Sequence, residues 1–74
     1  MRREELKAIL TRPAFRPFEI TLESGERYIV RHPESFSVLL RSAVIDMPDG
    51  VTIIFEIEDV TSVRLLPRNG RRKS

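Results

Sequence analysis

The sequence has no cysteine and only one histidine. The missing cysteines exclude a disulfide staple. Together the two shortages exclude a structural zinc site, which takes several Cys or His ligands. There is no glycine loop to cradle a phosphate, no cysteine nucleophile and no paired-acid motif, so neither a cofactor nor a catalytic centre is expected. No apolar run approaches the roughly 18 residues that span a bilayer. The start, "MRREELKAIL", lacks the apolar core and cleavage site of a signal peptide. The expectation is a soluble, cytoplasmic protein with no membrane partner.

These absences bear on stability. A chain of 74 residues buries only about 60% of the surface that it exposes when unfolded. One core of this size supplies no more than ~3–5 kcal/mol, and such domains are often helped by disulfides, metal or oligomerisation. With the first two excluded, a homo-oligomer is expected.

Charge is unevenly placed. Arg68, Arg71, Arg72 and Lys73 carry four of the 13 basic residues. Residues 1–67 keep nine basic residues against all 11 acidic ones, a net of −2. The sequence therefore divides into a mildly acidic domain, 1–67, and a basic tail, 68–74, expected to be disordered. Such a tail can hold nucleic acid or an acidic membrane by charge alone, and the competing reading is a solvated end that aids solubility.

Within 1–67 the hydrophobic periods predict a helix over about 2–11, where Leu6, Ile9 and Leu10 share a stripe. Pro13 stops it. Strands are predicted over about 18–23, 26–32, 36–47, 51–57 and 61–66, the third bent or broken near Ser42. The first two form a hairpin, "FEITLESGERYIV". A two-residue Ser24-Gly25 turn would set Leu22 against Arg27 and Glu19 against Val30. A three-residue loop with Gly25 left-handed sets Phe18 against Val30, Ile20 against Tyr28, Thr21 against Arg27 and Leu22 against Glu26. Only the second gives coherent faces. Phe36, Val38 and Leu40 are expected on one face with Leu39 on the other. Val51, Ile53, Phe55 and Ile57 should point inward, and Ile54 outward. "MPDG" reads as a turn. The predicted fold is mainly β with one N-terminal helix, a small bent antiparallel sheet closing into a barrel.

This order resembles the Sm-like fold, including the bacterial Sm-like RNA chaperone, over residues 3–67. "FEITLESGERYIV", "SFSVLLRSAVID" and "IIFEIEDVTSVRLLP" are similar to the family's opening hairpin, long third strand and closing motif. The resemblance implies a small Sm-like or SH3-like barrel and a ring. It implies no RNA-contact residues, because the motif positions differ. Glu34 or Ser35, and Ser37, stand where Sm proteins carry Asp and Asn. Glu56, Glu58 and Asp59 occupy the Arg-Gly region and would repel a phosphate backbone. The chain also resembles short bacterial proteins with "PF-x-I-x-L-x-x-G" and "V-x-H-P-E", here Pro17 to Gly25 and Val30 to Glu34.

Three sets of side chains are candidates for function. Arg27, Ile29 and Arg31 share the outer face of one strand, and Arg41 closes the next; with Arg68, Arg71, Arg72 and Lys73 they would bind a protein partner or RNA. The competing arrangement neutralises them against Glu19 and Glu23. His32 with Glu34 supplies the residue types for a polar site, but Pro33 separates them and ends the strand. Tyr28 and Phe36 could stack on bases, yet the hairpin register turns Tyr28 inward. The expected function is a non-enzymatic interaction module; the alternative is RNA binding through the arginines.

Overall fold

A computed structural model describes residues 1–67. The fold is mainly β with one N-terminal helix. Helix α1 spans Arg3–Leu10 and six strands follow: β1 Phe18–Leu22, β2 Arg27–Val30, β3 Phe36–Val38, β4 Ser42–Asp46, β5 Thr52–Glu56 and β6 Val60–Leu65.

The Arg2 amide donates to Glu5 Oε1 at 2.8 Å at the start of α1, which satisfies one orphan donor of the first turn. Leu6 is fully buried, and Ile9 and Leu10 pack beside it. The extended link to β1 is anchored twice. Phe15 lies edge-on to Phe18 at 6.0 Å, and the Arg16 guanidinium donates from Nε and Nη2 to the Leu66 carbonyl.

Strands β2-β1-β6 form one antiparallel sheet and β3-β4-β5 a second. The β1–β2 register is the predicted one, with Phe18 opposite Val30, Ile20 opposite Tyr28 and Thr21 opposite Arg27. The loop closes through Leu22 N–H to Glu26 O and Gly25 N–H to Leu22 O, with Gly25 at φ 95°. The β4–β5 loop repeats this pattern: Met47 N–H bonds to Val51 O, Gly50 N–H to Met47 O, and Gly50 has φ 92°. Both positions need glycine because L side chains avoid that region. Between β1 and β6 a bulge skips Thr61, so that Val60 rather than Thr61 opposes Leu22. One extra residue thus keeps both apolar side chains on the core side.

The structure corrects several expectations. Residues 36–47 are not one strand: β3 and β4 form a hairpin, with Phe36 opposite Ile45 and Val38 opposite Ala43. Leu39 N–H bonds to Ser42 O across the turn. Leu40 leaves the core face and is 77% exposed. Val51 lies in the loop before β5 and is exposed. The predicted barrel does not close, because the strands divide between two three-stranded sheets. Two 3-10 turns, Pro33–Ser35 and Ile57–Asp59, carry the chain from one sheet to the other. Pro33 has no N–H to continue a ladder, and β2 ends at Val30 rather than at His32.

The core lies between the sheets under α1. All four phenylalanines form one chain of ring contacts through it, from Phe15 to Phe18, Phe36 and Phe55.

Candidate interaction surface

Strand β2 is an edge strand. Its side chains alternate, as the pleat requires. Val30 is buried and Tyr28 half-buried, while Arg27 and Ile29 are exposed beside Thr21 and Glu19 of β1. Arg31 follows just beyond the strand and is also exposed.

The expected neutralisation of these arginines does not occur. Glu19 is opposite Arg64 in the β1–β6 register and accepts from its Nη2 at 3.0 Å. That is the only ion pair among the described residues. Glu23 sits in the β1–β2 loop, where its N–H donates to the Asp59 carbonyl at 2.8 Å. Arg27, Arg31 and Arg41 therefore have no carboxylate within salt-bridge distance among the described residues.

Arg27, Ile29, Arg31 and His32 line one side of a cleft of about 360 Å³, with Met47 and Pro48 among the residues opposite. Asp46 is the only carboxylate in its lining, and its Oδ1 accepts from Thr52 Oγ1 at 3.2 Å. The cleft is apolar within and cationic at its rim. Tyr28 also lines it. Partial burial, and then the neighbouring Glu26 carboxylate, push the phenol above its ordinary value of 10.0, because both disfavour the phenolate.

Arg41 does not join this strip. It lines a separate depression of about 420 Å³ with Met1, Leu40, Glu56 and Glu58. There Arg3 Nε donates to the Leu39 carbonyl at 3.1 Å. His32 and Glu34 are both exposed at the 3-10 turn, with no hydrogen bond or ion pair between them among the described residues. His32 lines the cleft and Glu34 does not. Arg68, Arg71, Arg72 and Lys73 lie outside the described residues.

A third concavity escaped the sequence reading. It occupies about 520 Å³ between the β1–β2 loop and the end of β5. Glu23, Glu26, Glu56 and Asp59 line it together with Ile54, and no cation does. The acids come as two local pairs, Glu23 with Glu26 and Glu56 with Asp59, from segments about thirty residues apart in the chain. The β1–β6 pairing, with Leu22 opposite Val60, and the Glu23–Asp59 backbone bond bring the two pairs together. Among the described residues no group of three or more His, Asp or Glu is arranged to hold a metal ion.

Ile54 is 69% exposed on the outer face of β5, opposite half-buried Val44. Strand β5 is itself an edge, with β4 as its only partner among the described residues. No family model, curated protein or solved structure matches this chain.

Proposed function

We propose that the protein is a non-enzymatic interaction module, an open barrel of Sm-like or SH3-like kind, that self-associates and binds another macromolecule. The observation that carries this reading is Ile54, a large apolar side chain 69% exposed on an edge strand paired on one flank alone. Free edges and apolar surface favour pairing with another chain, and proteins that stay monomeric usually blunt such edges with charge. A small core gives the same push towards association. Sedimentation at micromolar concentration is expected to report a species heavier than the 8.6 kDa monomer, and Ile54→Lys to shift it towards the monomer. A wild-type protein that stays monomeric overturns the reading.

A second reading, RNA binding, is favoured by Arg27 and Arg31, which lack carboxylate partners and flank exposed Ile29. Such binding would weaken steeply with salt, because neutralised phosphates release counterions. Titration with mixed single-stranded RNA at several salt concentrations tests it, and absence of binding at low salt removes it.

A further inference from the structure

We propose that the Arg27–Ile29–Arg31 strip of one copy docks into the acidic concavity of a second copy, beside Ile54 and Glu56. This rests on the self-association reading and names the two faces that meet. The argument is one of complementarity. The cleft along β2 is rimmed by Arg27, Arg31 and His32 around Ile29, and its one carboxylate is already bonded to Thr52. The concavity beside β5 has four carboxylates around Ile54 and no cation. Each face leaves its own charges without an intramolecular ion pair among the described residues. Each also carries an exposed isoleucine, Ile29 at 38% and Ile54 at 69%.

The spacing agrees. Side chains on one face of a strand recur every second residue, about 6.7 Å apart. Arg27 to Ile29 is one such step and Ile54 to Glu56 is another. Setting Ile29 against Ile54 therefore places an arginine against Glu56, with Glu23 and Glu26 on the adjoining loop for the other. Apolar contact at the centre and opposite charges around it are what a specific interface needs. The two concavities have no lining residue in common.

The test uses two full-length variants, Arg27→Glu/Arg31→Glu and Glu23→Arg/Glu56→Arg, with circular dichroism to verify that each folds. All four side chains are exposed, and the neutral pairs Arg27→Gln/Arg31→Gln and Glu23→Gln/Glu56→Gln replace any reversal that does not fold. Each reversal alone is expected to weaken self-association by at least about a hundredfold, since it sets like charges face to face. Mixed together, the two are expected to assemble with 1:1 stoichiometry, because the first keeps the acidic face and the second keeps the arginines that fit it. The neutral pairs should weaken assembly less, with the same sign. Variants that assemble as the wild type does would overturn this docking while leaving self-association standing. A wild-type protein that is monomeric at low salt overturns both.

Discussion

Phe18 of β1 and Phe36 of β3 meet edge to face with ring centroids 5.5 Å apart, and this contact joins the two sheets. Phe18 is fully buried and also touches Phe15, while Phe36 continues to Phe55. No ladder runs between the sheets, so their union depends on packing of this kind.

Phe18→Ala should therefore be among the most damaging substitutions. Truncating a buried phenylalanine costs about 3–5 kcal/mol, which is comparable with the whole stability of a small domain. Urea titration is expected to show a variant largely unfolded in dilute buffer. A midpoint close to that of the wild type would show that other contacts hold the sheets.

The two loop glycines give a cleaner backbone experiment. A Cβ built on Gly25 or Gly50 meets nothing within 4 Å, so any cost comes from the positive φ alone. Gly25→Ala and Gly50→Ala are each expected to cost about 1 kcal/mol, seen as a lower denaturation midpoint at unchanged m value. The hydrogen bonds that close the two loops have no residue in common, so the double variant should show additive losses.

Tyr28 is the only tyrosine and there is no tryptophan, so its ionisation can be followed directly by ultraviolet absorbance. The midpoint should lie above 10.0. With the folded value raised, the folded state holds its proton more tightly than the unfolded state. The sign follows: stability is unaffected by this group below pH 10 and falls as the pH rises through the unfolded and then the folded value. Tyr28→Phe should remove that alkaline slope, and Glu26→Gln should lower the midpoint.

The β1–β2 register was legible, though not the strand ends, because alternation and Gly25 allow only one register with coherent faces. The β3–β4 hairpin was not, and the reason is physical. No residue other than glycine has positive φ in the described chain, so the turn at Leu40-Arg41 needs neither Gly nor Asn. It lies inside "VLLRSAV", a run that reads as continuous strand. The missed turn also explains why Leu40 was expected inside. For the candidate surface, Arg27, Ile29 and Arg31 could be grouped from period two alone. Their lack of partners could not, since it depends on Glu19 being taken by Arg64 from a strand 45 residues away. The acidic run at Glu56 to Asp59 was visible in the sequence, but its meeting with Glu23 and Glu26 was not, since it depends on the β1–β6 pairing.

The division of the strands has a kinetic side. Strands β3, β4 and β5 pair only with sequence neighbours, whereas β1 takes one partner from the next strand and the other from β6. Local pairings close quickly and distant ones slowly, because the loop-closure entropy is lost before the contact is gained. A chain leaving the ribosome can complete the second sheet while the first is still a hairpin with a bare flank. During that interval β1 has one backbone edge with no β6 to pair with it. The vulnerable step in making this protein is then the return of its last strand, and the segment that chaperones would have most reason to hold is β1.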